Sequence, residues 1–266
     1  MIDVGRTMAT APPLPLHERE CPPTAVLTEA TAFLDIGLAS RSPPGKANED
    51  YAGIADPDEA ALRSHGRVVA VADGIGGDGS GQRGARVAVD MVLQDYYGTA
   101  ATWAPSKALD RVLRACNDWL HAQNSRRHDA DGMLASLSVL VFRQGRYHLA
   151  HVGDCRVYRI RHTTCKQITT DHVWPKQDMR HVPKRAMGLD SHIVVDYADG
   201  DVLPGDRFAL VTDGIWEVLG DAAVVAALTG DAAPQACADA LVAGSLARQA
   251  TYMGRNDATA AVIRAG

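Results

Sequence analysis

Apolar and polar residues alternate with a period of two over much of the second half of the chain, which predicts β-strands. Segments 137–142 and 147–152 have this pattern and flank Arg143-Gln144-Gly145-Arg146, a connection that indicates a β-hairpin. The segment 171–205 is irregular and polar, and we expect a surface loop there. Further strands are predicted at 31–39, 51–55, 67–73, 155–160, 165–168, 207–213 and 258–263.

Helical spacing of apolar residues, at intervals of three and four, is found in two groups of segments. The first group comprises 82–97 and 106–123, and the second comprises 222–228 and 234–249. Each group lies between runs of strands, and the strands follow one another as hairpins rather than alternating with helices. This order predicts an α+β fold, a four-layer α-β-β-α sandwich of two antiparallel sheets with a helical layer outside each.

The start of the chain differs from the rest. Residues 1–28 are rich in proline and have no amphipathic period, so we expect a disordered N-terminal tail. The remaining residues, 29–266, are long for one domain but within the range of a single large sandwich. We therefore predict one domain after the tail. The candidate metal-binding residues described below indicate that it is a catalytic domain.

Composition narrows the classes of partner. The net charge of −5 at pH 7 argues against a general nucleic-acid binder, and no apolar run is long enough to span a bilayer. The N-terminus lacks the basic-then-apolar order of a signal peptide. The cysteines are odd in number and form no C-x-x-C motif, which indicates free thiols in a reducing cytoplasm. They are Cys21, Cys116, Cys155, Cys165 and Cys237.

Candidate chemistry begins where an apolar run leads into Asp73-Gly74-Ile75-Gly76-Gly77. A carboxylate at the end of a buried strand is costly to desolvate unless a cation pairs with it. An Asp oxygen beside a glycine carbonyl supplies the hard ligands that suit Mg²⁺ or Mn²⁺. A glycine-rich turn is the alternative, but Asp213-Gly214 repeats the arrangement after a second apolar run.

Two more acids, Asp50 and Asp257, lie next to predicted strands, and in one sandwich all four carboxylates can converge. Clustered acids repel one another, so this set predicts more than one divalent cation. Two Mg²⁺ or Mn²⁺ ions about 3.5–4 Å apart are used in phosphoester hydrolysis, which needs no serine or cysteine nucleophile. The histidines lack H-E-x-x-H spacing, which makes zinc the weaker interpretation.

Eight short motifs occur in an order that resembles the type 2C metal-dependent serine/threonine protein phosphatases in their compact bacterial form, and the resemblance covers about residues 31–264. The motifs are Asn48-Glu49-Asp50, Val71-Ala72-Asp73-Gly74-Ile75-Gly76-Gly77, Asp131-Gly132-Met133, Ala150-His151-Val152-Gly153-Asp154-Cys155-Arg156, Thr169-Thr170-Asp171-His172, Ala186-Met187-Gly188-Leu189, Val211-Thr212-Asp213-Gly214 and Asn256-Asp257-Ala258-Thr259. The resemblance implies the α-β-β-α sandwich, hydrolysis of phosphoserine and phosphothreonine, and phosphoprotein substrates, with a cognate serine/threonine kinase as the opposing enzyme.

The resemblance also implies a binuclear Mn²⁺ or Mg²⁺ centre. Asp73 would bridge the two ions, and Gly74 would contribute its carbonyl oxygen to one of them. Asp213 and Asp257 would bind the other ion. Glu49 and Asp50 would act directly or through water, so that the implied catalytic acids are Asp50, Asp73, Asp213 and Asp257. Asp131 matches the position of a third, weaker metal in bacterial relatives, although a solvated loop acid is the alternative there, and Asp154 and Arg156 are expected to hold a hairpin corner.

Several departures from the family pattern bear on activity. The family's phosphate-binding arginine position holds Gly45, and we predict that the neighbouring Lys46 contacts the substrate phosphate, with a solvated loop lysine as the alternative. Leu134-Ala135-Ser136 replaces the family's Gly-Thr-Thr. These changes keep two other hypotheses open. One is a catalytically weak, phosphatase-like binding or regulatory module, and the other is a hydrolase of small phosphoesters.

Overall fold

Two antiparallel sheets form the centre of the protein in the computed structural model, which describes residues 34–76, 78–126, 132–174, 182–252 and 255–266. The strands are β1 (Leu34–Arg41), β2 (Tyr51–Ile54), β3 (Arg67–Ile75), β4 (Leu134–Arg143), β5 (Arg146–Val152), β6 (Arg156–Arg161), β7 (Thr164–Gln167), β8 (Asp196–Asp201), β9 (Arg207–Val211) and β10 (Ala258–Ala265). The helices are α1 (Glu59–His65), α2 (Ser80–Asp95), α3 (Pro105–Arg126), α4 (Asp213–Leu219), α5 (Asp221–Thr229) and α6 (Pro234–Tyr252).

Each sheet combines strands from distant parts of the chain. The first sheet has the order β1-β10-β9-β6-β7, and the second has the order β2-β3-β4-β5-β8. The predicted hairpin is present: β4 and β5 are joined by Gln144 and Gly145, which both have positive φ. Because β10 lies between β1 and β9, the last strand of the chain ties the first strand into the sheet.

Three apolar clusters hold the layers together. Helices α2 and α3 pack on the outer face of the second sheet, and helices α4, α5 and α6 pack on that of the first. Between the sheets, Phe208 on β9 meets Phe142 and Tyr147, each with ring centroids 5.2 Å apart. The predicted α-β-β-α sandwich is therefore confirmed. Across the described ranges, no helix combines the length and apolar character that crossing a bilayer requires.

The sequence pattern missed three elements. Strand β8 lies inside the segment predicted to be a loop, because its residues, Asp-Tyr-Ala-Asp-Gly-Asp, are half-buried at best and offer no apolar alternation. Helix α1 is short and was not predicted. Helix α4 begins at Asp213, where a turn was expected. The tail at 1–28 and the first residues of the predicted strand 31–39 lie outside the described residues.

Candidate metal centre

The candidate acids come together at one end of the sandwich, and both sheets contribute. Asp50 and Asp257 lie directly before β2 and β10, whereas Asp213 is the first residue of α4. Asp73 was expected at a strand end but lies within β3, opposite Ser136 of β4. Its backbone is paired with β4 on one side, whereas the ladder between β3 and β2 ends one residue earlier, at Ala72.

A hydrogen bond between buried side chains links the two sheets at this point. The Thr212 hydroxyl donates to Asp50 Oδ2 at 2.8 Å, and the Thr259 backbone N–H donates to Thr212 Oγ1 at 3.1 Å. Thr259 Oγ1 lies 2.7 Å from the hydroxyl of Ser40 on β1. Thr212 precedes α4 but does not cap it, because its hydroxyl is used by Asp50. These hydroxyls were not singled out from the sequence, where a Thr before an Asp resembles an ordinary helix cap.

Asp257 has two differently placed oxygens. Oδ2 accepts a hydrogen bond from Lys46 Nζ at 2.5 Å and another from the Glu49 backbone N–H at 2.8 Å. Oδ1 is buried and, among the described residues, has no hydrogen-bond partner. A buried carboxylate oxygen without a donor is costly, so this oxygen has a strong requirement for a cation or donor.

The pKa values of the clustered acids reflect burial and mutual repulsion. Burial raises the pKa of Asp50 to about 7, although hydrogen bonds from Thr259 and Thr212 oppose the shift. Burial also raises the pKa of Asp213 to about 8, and the charges of Asp154 and Asp50 add to it. The pKa of Asp73 is held well above its usual range by burial and by the neighbouring acids, although part of this side chain reaches solvent.

Close backbone packing brings Gly74 and Glu49 to the start of α2. The Gly74 N–H donates to the Glu49 carbonyl oxygen at 3.2 Å. A Cβ on Gly81 would lie 2.9 Å from both Gly74 O and Glu49 Oε1, so these two oxygens face the same glycine. A Cβ on Gly74 would lie 2.2 Å from Gly81 O. The glycines therefore let two candidate oxygen ligands approach the helix start, and Gly81 was missed in the sequence.

Asp154 lies closer to the candidate centre than the sequence suggested. Its charge adds to the raised pKa of both Asp73 and Asp213. Its Oδ1 accepts a hydrogen bond from the buried Ser136 hydroxyl at 2.6 Å. The sequence feature that could have identified Asp154 is its position beside a glycine at a strand end. Arg156 forms ion pairs with Asp171 at 2.7 Å and Asp221 at 2.9 Å, and it stacks on Trp216, with its Cζ 3.6 Å from the ring centroid.

The donor set is one that a divalent cation accepts. It consists of carboxylate oxygens and a backbone carbonyl, which are hard ligands, and it includes the unpartnered Asp257 Oδ1. Within the described ranges, no three His, Cys, Asp or Glu side chains already enclose one ion position. Such an arrangement still fits Mg²⁺ or Mn²⁺, since Mg²⁺ takes one or two carboxylates and keeps several waters. Asp131, predicted to hold a third ion, and Gly77 lie outside the described residues.

The chain is a four-layer α-β-β-α sandwich with an acidic centre at one end. Its amino-acid sequence identifies the family to which it belongs. The chain belongs to the protein phosphatase 2C family, whose sequence model matches residues 39–248.

Named relatives agree with this assignment. The serine/threonine protein phosphatase PstP of Mycobacterium tuberculosis is 27% identical over 199 residues, which are 68% of this chain, and the chain spans 38% of that relative's length. The serine/threonine phosphatase stp of Listeria monocytogenes is 24% identical over 186 residues, 63% of this chain and 72% of the relative.

Solved structures share the fold. PppA, a key regulatory component of T6SS in Pseudomonas aeruginosa, superposes with a TM-score of 0.71 at 26% identity, over 88% of this chain and 100% of PppA. The catalytic domain of PstP in complex with two manganese ions has a TM-score of 0.69 at 24% identity, over 87% of this chain and 98% of that domain. At that identity the likeness to the PstP domain concerns the fold alone.

We predict that the protein in chelator loses thermal stability as the pH rises from about 5 to about 8. The folded-state pKa values of Asp50, about 7, and Asp213, about 8, exceed the ordinary value of 3.8. In this window these two carboxyls hold more protons in the folded protein than in the unfolded chain, so they lower the free energy of unfolding as the pH rises. His151, whose pKa burial lowers to about 4, opposes part of this decline below about pH 6.5, so the decline should be steepest from about pH 6.5 to 8. Added Mn²⁺ should reverse the loss, because metal ligands bind in their deprotonated form.

Melting temperatures measured in EDTA and in Mn²⁺ across this range test the prediction. Asp213→Asn should flatten the decline in EDTA, and the exposed-helix variant Asp118→Asn is the matched control. A melting temperature in EDTA that stays level or rises with pH would contradict the prediction.

Proposed function

We propose that this chain is a metal-dependent protein phosphatase that hydrolyses phosphoserine and phosphothreonine in phosphoproteins. The observation that carries the proposal is the convergence of buried carboxylates from both sheets, in a member of the protein phosphatase 2C family. One of them, Asp257, has a buried Oδ1 with no hydrogen-bond partner in the part of the chain that the structure describes. The names of the bacterial relatives, which are serine/threonine phosphatases, support the same reaction.

The proposed metal ligands are those that the acidic centre brings together. Asp73 and the Gly74 carbonyl would serve from β3, and Asp213 and Asp257 from the ends of α4 and β10. Glu49 and Asp50 would bind directly or through water. Two Mn²⁺ or Mg²⁺ ions would polarise the phosphoryl group and activate the attacking water. The manganese ions of the PstP catalytic domain support two metals of this kind.

The remaining side chains of the centre act by holding the ligands in place. The Thr212 hydroxyl donates to Asp50 and itself accepts a hydrogen bond from the Thr259 N–H, and the Ser136 hydroxyl donates to Asp154. A thiol nucleophile is disfavoured, because Cys155 is buried and burial raises the pKa of its thiol well above the usual value. The attacking group in this proposal is therefore water.

Lys46 is proposed as a contact for the substrate phosphate. Its ammonium carries three donors, and the side chain is one-quarter exposed, so a donor not used by Asp257 or Glu49 can face a ligand. Phosphoproteins labelled by a cognate serine/threonine kinase are the proposed substrates. A non-catalytic binding module is not favoured, because buried acids are costly to keep without cations. Small phosphoesters would be handled by the same centre.

Removal of metal should abolish hydrolysis. Treatment with EDTA should eliminate p-nitrophenyl phosphate and phosphothreonine-peptide hydrolysis, and Mn²⁺ should restore both. Asp73→Asn should lower kcat by at least about a thousandfold, roughly 4 kcal/mol of barrier, since it weakens both metal sites together. Asp118→Asn, on the exposed face of α3, is the control that should keep full activity. Full activity in chelator would reject the mechanism.

Lys46→Ala should raise KM for a phosphothreonine peptide more than it lowers kcat, when measured at saturating Mn²⁺. Loss of a contact made equally in the ground state and the transition state has this signature. Lys107→Ala on the exposed face of α3 is the matched control. Unchanged kinetics would remove the phosphate contact from the proposal.

Asp131→Ala tests the proposed third metal. A metal held by one carboxylate and several waters binds weakly, so the variant should keep two tightly bound Mn²⁺ by calorimetry and keep its melting temperature. Its kcat should nevertheless fall by at least roughly tenfold, about 1.4 kcal/mol. Asp129→Ala is the neighbouring control. An unchanged kcat at saturating metal would leave Asp131 as a loop acid.

A further inference from the structure

Lys46 stands out because, within the described residues, it is the one basic side chain in ion-pair contact with any of the candidate acids. Its Nζ lies 2.5 Å from Asp257 Oδ2 and 3.5 Å from Glu49 Oε2. Asp257 is almost fully buried, whereas Lys46 and Glu49 are each about one-quarter exposed. The ammonium therefore neutralises part of the negative charge at the buried edge of the centre.

The loop before β2 is built to hold this lysine in place. Pro44 and Gly45 occupy the centre of a turn in which the Lys46 N–H donates to the Pro43 carbonyl at 3.2 Å. Gly45 has φ of +78°, as the third residue of a type II turn requires. The Ser42 hydroxyl donates to the Lys46 carbonyl at 2.9 Å. Both backbone groups of Lys46 are therefore hydrogen-bonded, which holds the backbone from which its side chain reaches Asp257.

We propose that Lys46 is a built-in cation of the metal centre, which shares Asp257 with the bound ion and so weakens metal binding. The inference rests on the proposed function, because it takes Asp257 as a metal ligand. Among the described residues Asp257 Oδ1 has no hydrogen-bond partner, so it can meet a metal while Oδ2 stays with Lys46 and the ammonium remains beside the ion.

The sign of the effect follows from charge. A monovalent and a divalent cation that share one carboxylate repel each other, and the repulsion is strong at a partly buried site. Lys46 also supplies a counter-ion to Asp257 before metal binds, which lowers the gain from binding. If Lys46 only oriented Asp257, its removal would instead loosen the ligand and weaken metal affinity, as outer-shell substitutions do. The two roles therefore predict opposite changes.

Calorimetric titration of chelator-stripped full-length protein with Mn²⁺ distinguishes them. Lys46→Met removes the charge but keeps a long apolar stem, and it should tighten at least one Mn²⁺ site by tenfold or more. Lys46→Arg keeps the charge and should stay within about threefold of the parent protein. Lys107→Met removes the same charge from the exposed face of α3 and should change nothing. The gain from Lys46→Met should shrink at high salt, where charge repulsion is screened.

A second measurement covers the case in which the variant is poorly folded. The rise in melting temperature on adding Mn²⁺ should be larger for Lys46→Met than for the parent, because the stripped variant keeps a buried Asp257 without its counter-ion. Mn²⁺ affinity that is unchanged or weaker in Lys46→Met would overturn the proposal, as would an equal gain in Lys46→Arg. Hydrolysis of p-nitrophenyl phosphate at saturating Mn²⁺ tests the proposed function separately. If the protein binds Mn²⁺ with the predicted change in affinity but hydrolyses no substrate, the proposed function is rejected and the role of Lys46 is retained.

Discussion

Burial of clustered carboxylates, reinforced by their mutual repulsion, is the constraint on which this end of the sandwich depends. Asp50, Asp73 and Asp213 have raised pKa values because burial and their neighbours disfavour the charged forms. Such a cluster lowers the stability of the fold unless hydrogen-bond donors and cations offset the cost. The surrounding elements supply such donors. The Thr212 hydroxyl is one such donor, and it also joins the sheet containing β9 to the loop that leads into the other sheet.

The order of the strands in the sheets, rather than proximity in the sequence, brings the acids and their partners together. Asp50 and Asp257 are separated by most of the domain, yet each directly precedes a strand, and Lys46 contacts Asp257 across 211 residues of chain. The final strand, β10, lies between β1 and β9, so the acidic end is complete only when the end of the chain has paired. The site and the closure of the first sheet therefore form together.

Much of the architecture was readable from the sequence, and the failures have physical causes. Period-two and helical patterns identified both sheets and four of the helices, because those segments bury one face. Strand β8 is acidic and pairs only with β5, so its backbone rather than its side chains defines it. The Asp-Gly pattern identified Asp73 and Asp213, but it could not show that one lies inside a strand and the other begins a helix. The contact between Ser136 and Asp154 depends on how β4 aligns with the segment that follows β5. No local sequence pattern encodes that alignment.

The turn before β2 gives a physical reason why the cation sits at Lys46. A Cβ at position 45 would have no atom of the described residues within 4 Å, so space next to the backbone does not exclude a side chain there. The backbone excludes it, because φ of +78° is strained for any residue with a Cβ, and Pro44 favours the type II turn that needs a glycine next. A cation placed one residue later, at Lys46, is an ammonium rather than a planar guanidinium. It contacts Asp257 and can meet a phosphate only as a point charge, without the bidentate fork of an arginine. The same turn that displaces the phosphate-binding position thus creates the contact through which the protein can set its own metal affinity.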